Sequence, residues 1–564
     1  MQSSALFLKG IDLSAKSPNG RVGFDRRQWL ILATVGLALA IVVIDTTVVI
    51  VTIPAIQQRF GATLRAVEWV TDLYALVFAS LLLTAGKLAD RYGRRRILIS
   101  GICIFVVGSM MVGIAPSVGM ILLGRAIQGV GASLMMPATL SILSSNFSGP
   151  SRGIAFGIWG GVSGGAIGAG PLLGGFLTTY ASWRYAFLIN VPIGITVIIM
   201  ALRVIEEARD EEHQTALDIP GALLGGVGLG AIVFGAIEGQ VYGWFHSRGT
   251  FHMGIFTWPF AKIPLSMVMF GIGIASIVGF GLFEAAMLRR RRDPLFDLSL
   301  LRFKTFRFGL LTACIVMFGQ SGMIFVLSLF LQSARGFSAV ATGLMIFPFA
   351  AAVFAAAPLA GQLSSRIGPK WVVTAGMICS TAADFWLSRI ITVHTPAMQF
   401  VPPLLCYGVG VGLATAQLTN VIMMEIPVER SGAASGANSA VRRVGAAIGF
   451  AILGAMLAAG MAATGRAELS HNHTIPPAVR TSLNRALQQG LYASELNTGQ
   501  IKKLPKAVQA DIHKIVSRSM AAGARRAGLV AAILIFLGAC SSLLVPNCQP
   551  RSDDERWEGP CERG

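Results

Sequence analysis

Two ionisable residues lie deep inside long apolar stretches of this sequence, where a charge is costly. Asp45 stands within Val43–Thr47, and Arg125 stands among small residues in Leu123–Ala132. A carboxyl group in such a place is suited to bind and release a proton, whereas an arginine stays charged and needs partners. We predict a switchable proton-coupling pair, in which Asp45 is protonated in one state and paired with Arg125 in another. A permanent structural pair is the alternative.

Six further polar residues in or beside the apolar stretches are candidates for substrate binding: Asp72, Glu238, Gln320, Asp384, Gln417 and Asn420. Ionisable residues inside a membrane are functional candidates by default. Glu238 stands at the end of its stretch, where solvation is the alternative, and Asp72 could equally stabilise the N-terminus of its helix. Together with Asp45, these acids favour a cationic substrate.

A very basic segment, Gly86–Arg96, separates two apolar stretches and predicts a tight hairpin. Lys and Arg concentrate in cytoplasmic loops, so we place this hairpin in the cytoplasm, where Asp90 accepts hydrogen bonds and offsets part of the arginine charge. Its skeleton G-x-L-x-x-R-x-G recurs at Gly361–Gly368, which predicts two related halves. The hairpin residues that we assign to gating are Gly86, Asp90, Arg91, Gly93 and Arg94.

The fifth apolar stretch is rich in glycine. It contains Gly170, Pro171, Gly174 and Gly175, preceded by several more glycines. A Gly-Pro step can kink a membrane helix, and small residues let a neighbouring helix approach closely. We therefore assign these four residues to the conformational change, as the place where one half bends or slides against the other. A purely structural helix crossing is the alternative.

The composition indicates an all-α integral membrane protein. The 564 residues are 54% hydrophobic and only 13% charged, whereas soluble proteins carry roughly a quarter charged residues. Fourteen apolar stretches are each near the ~20 residues that cross a bilayer. The net charge of +19 collects at the ends of these stretches, which favours anchoring at the cytoplasmic face over nucleic-acid binding.

No enzyme motif is present in the sequence. There is no Walker lysine motif and no H-E-x-x-H, and the seven scattered cysteines form no C-x-x-C, so we expect no catalytic residues, cofactor or metal. The driving force must then come from a proton gradient. We expect the partners to be a small-molecule substrate, protons and the lipid bilayer, but no nucleic acid, and we expect a functional monomer.

The fourteen spans divide the chain into five parts. We predict a cytoplasmic segment 1–28, an N-terminal six-helix bundle 29–205, a linker with two extra helices 206–292, a C-terminal six-helix bundle 293–545 and a cytoplasmic tail 546–564. The even number of spans places both termini on one side, and the basic loops make that side the cytoplasm.

Two segments between the predicted spans have their own patterns. Glu206–Gln214 is acidic and predicts a solvated cytoplasmic linker. The loop 462–527 should lie outside the cell. An apolar helical face within it predicts a helix lying on the outer membrane surface, with disorder as the alternative. This face consists of Val508, Ile512, Ile515 and Val516.

Taken together, these segments resemble the major facilitator superfamily, and within it the fourteen-helix drug–proton antiporter branch. The segments that carry the resemblance are, in chain order, Asp45–Val49, Gly86–Arg96, Arg125–Gly131, Gly170–Gly175, Trp183–Gly194 and Arg430–Gly436. Gly170–Gly175 is similar to the antiporter motif of the fifth helix, which is associated with exporters. Two positions depart from the pattern: Ile50 stands where an asparagine is usual, and Ser365 replaces the acid of the second hairpin.

The resemblance implies two six-helix bundles plus two inserted central helices in the plasma membrane. It also implies proton-coupled antiport, by alternating access, of hydrophobic or amphipathic drugs or toxic metabolites. Three alternatives remain open at this point. These are a dedicated exporter of a single metabolite or siderophore, an importer, and a non-transporting membrane sensor or scaffold.

Overall fold

A computed structural model of the chain describes residues 24–62, 64–208, 218–243, 252–253, 256–260, 263–290, 294–471, 475–488 and 505–546. The rest of the predicted N-terminal segment and C-terminal tail, most of the acidic linker and the centre of the loop 462–527 lie outside the described residues. Within the described part, the fold is helical apart from two paired two-residue strands, His252–Met253 and Phe256–Thr257.

The α-helices are, in chain order, α1 (Arg26–Phe60), α2 (Leu64–Tyr92), α3 (Arg94–Gly113), α4 (Val118–Asn146), α5 (Gly149–Tyr180), α6 (Tyr185–Leu188), α7 (Asn190–Val204), α8 (Ile219–Tyr242), α9 (Leu265–Arg289), α10 (Lys304–Leu329), α11 (Ala339–Ile367), α12 (Pro369–Ile390), α13 (Val401–Met424), α14 (Ser431–His471), α15 (Pro477–Gln488) and α16 (Lys506–Ser542).

The structure confirms an all-helical membrane architecture. Twelve helices of the described chain are long and apolar enough to cross a membrane, with α6 and α7 counted as one span. The two remaining predicted spans correspond to α5 and α12, which have 32 and 22 residues. At about 1.5 Å per residue, either is long enough to cross the ~30 Å hydrocarbon core.

Both predicted hairpins turn within a single residue. Gly93 separates α2 from α3, and Gly368 separates α11 from α12. Their φ angles are +102° and +87°, a region of backbone conformation that glycine adopts most easily. The two copies of the sequence repeat therefore share one backbone geometry, as expected for related halves.

The two halves pack along two seams. In one seam α5 packs against α11 and α13, and in the other α2 packs against α14. The inserted helix α8 packs on α2 and α14, and α9 packs mainly on α8. The inserted pair thus lies against the second seam.

The loop 462–527 differs from its prediction. α14 extends to His471, α15 follows, and α16 begins at Lys506, so most of the described loop is helical. The helix predicted around its apolar face is confirmed, but its place on the outer membrane surface is wrong. Ile512, Ile515 and Val516 are buried in the core of the second half. This face is covered because α16 continues as one helix from the loop into the last span.

Among the described residues of the acidic linker, Glu207 is less solvated than predicted, with 19% of its side chain exposed. The Glu207 carboxylate accepts hydrogen bonds from the backbone N–H groups of Arg95 (3.1 Å) and Arg96 (3.2 Å). These groups lie in the first turn of α3, where the helix dipole and the free N–H groups favour an anion. Glu207 therefore caps α3, because the hairpin brings that helix start next to the linker.

Candidate functional site

Asp45 of α1 and Arg125 of α4 are in contact, and neither side chain is exposed (0%). Arg125 Nη1 donates to Asp45 Oδ2 at 2.5 Å, and Arg125 Nε donates to the Val70 carbonyl at 2.8 Å. The guanidinium also lies over the ring of Tyr74, 4.1 Å from its centroid. The predicted proximity of the pair is therefore confirmed, while its role in proton coupling stays a prediction.

Two amide side chains complete the environment of Asp45. Gln128 Nε2 and Asn190 Nδ2 donate to Asp45 Oδ1 at 3.0 and 3.1 Å. Both amides also donate to Ser109 Oγ. With Arg125, three donors stabilise the ionised carboxylate. These amides were not among the predicted site residues, although Gln128 lies one helical turn after Arg125 and Asn190 interrupts an apolar segment.

The first hairpin binds the other half of the molecule. Asp90 accepts hydrogen bonds from the backbone N–H groups of Gly432 and Ala433, both at 2.7 Å. These groups belong to the first turn of α14, so the carboxylate also interacts favourably with the helix dipole. Gly86 permits this contact because its backbone touches Gly432, where any side chain would clash. We call the end of the bundle that carries Gly86–Arg96 the hairpin face.

Further hydrogen bonds join the halves at the hairpin face. Arg94 donates to the Val428 carbonyl and Arg152 to the Met423 carbonyl. The hydroxyl groups of Ser141 and Ser431 form one hydrogen bond, with 2.6 Å between their oxygens. Together with Asp90, these contacts close the hairpin face. Arg91, by contrast, is half-buried and lies over the ring of Tyr92.

The glycines of α5 lie in its two most extensive helix contacts, with α11 and with α1. Gly157 and Gly161 pack against the backbone of α11, at Ala357 and Phe354. Gly170 and Gly174 pack against Thr47 and Val48 of α1, so close that a Cβ would overlap a side chain. Gly175 lies beside Val340 of α11. α5 runs through Pro171 as a single helix and lies between its own half and the other half.

A cavity of about 120 Å³ lies between α5, α10, α11, α13 and α14. Its wall is mainly apolar and aromatic, with Trp159 from α5 and Phe349 from α11. Of the six predicted substrate-binding residues, Gln320 lines this cavity. Ligand pockets are usually ~300–1,000 Å³, so the cavity must widen to hold a drug-sized molecule.

The other predicted residues lie elsewhere. Gln417 donates to the Gly153 carbonyl (3.2 Å) and accepts from Asn420 (3.2 Å), so both join α13 to α5 near the hairpin face. Glu238 is buried in α8, which argues against the solvated alternative, and Asp72 is half-buried in α2.

Asp384 is buried in α12, and its carboxylate has no hydrogen-bond partner among the described residues. Neither Asp45, Asp72 nor Asp384 lines the cavity. The acids therefore give no support to a cationic substrate at this site, because the structure places their charges away from it.

The sequence analysis also missed two arginines, Arg442 and Arg443. Hydropathy predicts that the thirteenth span begins at Val441, which puts both arginines at its end, but α14 begins at Ser431. Arg442 consequently lies about 16 Å along the helix from Ser431, and it lines the cavity. Arg443 lies over the ring of Phe78 on α2, 4.4 Å from the centroid. The small-residue stretch before Val441 was the available signal for the longer helix.

Two related helical bundles of membrane-spanning length, with a buried ion pair and a cavity between α5 and the second half, are the architecture of a membrane transporter. Comparison with known proteins identifies the family of transporters. Residues 35–450 match the Major Facilitator Superfamily, so the chain belongs to that family, whose members are transporters.

Relatives of known name support the drug-efflux branch of the family. The chain is 35% identical over 422 residues to the multidrug resistance protein Stp of Mycobacterium tuberculosis, covering 75% of this chain and 74% of that protein. It is 31% identical over 425 residues to the tetracenomycin C resistance and export protein of Streptomyces glaucescens, with coverage of 75% and 74%. The puromycin resistance protein pur8 of Streptomyces alboniger is 31% identical over 428 residues, with coverage of 75% and 80%.

A solved structure supports the fold. The chain superposes on the human organic anion transporter MFSD10 (TETRAN) with a TM-score of 0.58 at 13% identity, covering 92% of this chain and 100% of that one. At this identity the likeness concerns the fold alone.

Proposed function

We propose that this protein is a proton-coupled antiporter that exports hydrophobic or amphipathic drugs or toxic metabolites by alternating access. The observation that carries the proposal is the fully buried pair of Asp45 and Arg125. An acid in the membrane interior that is held ionised by one arginine can exchange this partner for a proton. Relatives named for drug resistance and export support the direction of transport.

Protonation of Asp45 would alter the forces on α2. Asp45 neutralises Arg125, which is also bonded to the Val70 carbonyl and stacked on Tyr74, both in α2. When Asp45 takes up a proton, Arg125 loses its counter-charge inside a medium of low dielectric. The same helix carries Asp90 in its last turn, and the carboxylate of Asp90 binds the start of α14. One helix therefore links the proton site to the contact that closes the hairpin face.

The proposed arrangement in the membrane follows from the basic hairpin. Placing Gly86–Arg96 in the cytoplasm satisfies the positive-inside rule and puts both termini there, in the plasma membrane. The bundles 29–205 and 293–545 would then move against each other, with 206–292 as an insertion beside them. The protein would work as a monomer that uses the proton gradient.

The experiment is transport in everted membrane vesicles that are energised so that their interior becomes acidic, and protons then leave as the dye enters. The vesicles should accumulate fluorescent amphipathic dyes, and an uncoupler should abolish this accumulation. Asp45→Asn should reduce gradient-driven accumulation to the level of the uncoupled vesicles, because the site can no longer bind or release a proton. Glu206→Gln is the matched control, since Glu206 is an exposed carboxylate (81%). Full activity of Asp45→Asn would exclude Asp45 from the mechanism.

A dedicated exporter of one metabolite is the second candidate. It is favoured by relatives named for single antibiotics, such as tetracenomycin C and puromycin. The two functions differ in the number of chemically unrelated compounds that dissipate a proton gradient in vesicles. A single active compound in a broad panel would favour the dedicated exporter.

A further inference from the structure

The cavity between the halves contains one charged side chain among its described lining residues, and that charge is positive. Arg442 projects from α14 toward walls formed by Trp159, Phe349 and other apolar residues. No acidic residue is found among the described residues that line this space. Its electrostatic character is therefore set by one guanidinium beside the polar groups of Gln320 and Thr415.

The hydrogen bonds of Arg442 are all to neutral acceptors. Nη2 donates to Thr419 Oγ1 at 2.8 Å and to the Thr415 carbonyl at 3.3 Å, and Nε donates to Asn438 Oδ1 at 3.3 Å. These bonds hold the planar group between α13 and α14. The N–H groups of Nη1 have no acceptor in the described part of the chain, and the side chain is only partly buried.

Arg125 and Arg152 do not line the cavity. Arg125 is neutralised by Asp45, whereas Arg152, like Arg442, donates to neutral acceptors but lies at the hairpin face. Arg442 has no carboxylate within ion-pair distance among the described residues. A guanidinium without a counter-charge in a medium of low dielectric attracts an anion strongly and repels a cation.

We propose that Arg442 is the substrate-recognition residue of this cavity and that it selects amphipathic aromatic compounds bearing a carboxylate or phenolate. The anionic group would accept hydrogen bonds from the N–H groups of Nη1, since a guanidinium matches the geometry of a carboxylate. The ring system would pack between Trp159 and Phe349 once the cavity widens. This inference rests on the proposed export function and deepens it by naming the charge of the cargo.

The test compares two dyes that share a xanthene ring but differ in charge. Fluorescein is anionic at pH 8 and rhodamine 123 is cationic, and fluorescence anisotropy reports the binding of each to the full chain in lipid nanodiscs. We expect the wild type to bind fluorescein ~10-fold or more tightly than rhodamine 123. This comparison needs no variant, so it stays decisive even if a substitution prevents folding.

Variants then assign the preference to Arg442. Arg442→Gln should weaken fluorescein binding by ~10-fold or more and leave rhodamine 123 binding unchanged or tighter. Arg442→Lys should keep the preference for fluorescein over rhodamine 123 but bind fluorescein more weakly than the wild type, because the charge remains while the planar guanidinium is lost. Arg443→Gln is the control, since Arg443 is the adjacent arginine but lies over Phe78 rather than in the cavity.

Three results would overturn the inference: rhodamine 123 binding as tightly as fluorescein, an equal loss of both dyes in Arg442→Gln, or no binding of either dye. Binding needs no proton gradient. If fluorescein binds as expected but energised vesicles move no compound, the proposed export function fails while the anion site stands. If vesicles export cationic dyes and ignore fluorescein, export stands and the anion site fails.

Discussion

The two hairpins of this protein have the same backbone but different chemistry. In the first, Gly86 packs against the start of α14, and in the second, Gly361 packs against Gly153 and Ile154 at the start of α5. Each hairpin then turns through a glycine with positive φ. At the position of Asp90, however, the second hairpin has Ser365, whose hydroxyl donates to the Gln362 carbonyl of its own helix (2.7 Å).

This difference shows that the two copies of the repeat share the close glycine packing between the halves but not the hydrogen bonds that accompany it. Asp90 adds two charge-assisted hydrogen bonds to a helix N-terminus, and each such bond is about twice as strong as a neutral one. The second contact depends on close packing of small residues. Among the described residues of the two hairpins, only Asp90 contributes a carboxylate that binds the start of a helix in the other half, and we call this contact with α14 the latch.

The buried acids of the two halves also differ in their hydrogen-bond partners. Asp45 accepts hydrogen bonds from three side chains in the first half. Asp384 of the second half is equally buried but accepts none from the described residues. Of these two buried acids, the one with good hydrogen-bond partners therefore lies in the first half, which also contains the latch residue Asp90.

The largest expected effect is on stability. Asp45→Leu should destabilise the protein by ~3–5 kcal/mol, because it leaves Arg125 buried without a counter-charge. Asp384→Leu should be neutral or stabilising, since it replaces an unsatisfied carboxyl by an apolar group of similar size. Thermal unfolding of the two purified variants measures this contrast. Equal destabilisation would mean that Asp384 has a role in the fold comparable with that of Asp45.

The second effect concerns the latch. Asp90→Ala should reduce gradient-driven transport by ~10-fold or more, because the closed hairpin face loses two charge-assisted bonds worth about 1.5–3 kcal/mol each. Ser365→Ala should change transport less than ~2-fold, since the lost bond is local and exposed. Initial rates in vesicles with matched protein amounts provide the measurement. Similar losses in both variants would show that the hairpins work equivalently.

The smallest effect compares glycines at the starts of α14 and α5. A Cβ at Gly432 would overlap Asp90 Oδ1 and lie 2.5 Å from the Gly86 carbonyl oxygen, whereas at Gly153 its nearest neighbour would be Ser364 Oγ at 3.2 Å. Gly432→Ala should therefore open the latch and lower transport several-fold, and Gly153→Ala should be close to wild type. Accessibility of a single cysteine introduced at the hairpin face reports the opening. An unchanged accessibility in Gly432→Ala would contradict the closed geometry described for this contact.

Much of the fold could be predicted from hydropathy, because each span is a local run of apolar residues long enough to satisfy its own backbone hydrogen bonds in a bilayer. The hairpin repeat likewise predicted two related halves, because each copy of G-x-L-x-x-R-x-G is a short segment that can be recognised in the sequence without knowledge of the fold. The same reasoning failed at the ends of helices. Hydropathy predicts spans that begin only at Val441 and Gly528, because the residues before them are small or polar rather than apolar, but α14 and α16 begin at Ser431 and Lys506.

The sequence by itself determined the membrane spans, the repeat, and the presence of an acid and an arginine in apolar surroundings, because all of these depend on residue type and local spacing. Only the tertiary structure decided that Asp45 meets Arg125, that Asp90 reaches α14, and that Arg442 faces the cavity while the acids do not. Such contacts join residues far apart in the chain. They depend on helix rotation and on close approaches between glycines, which no local pattern specifies.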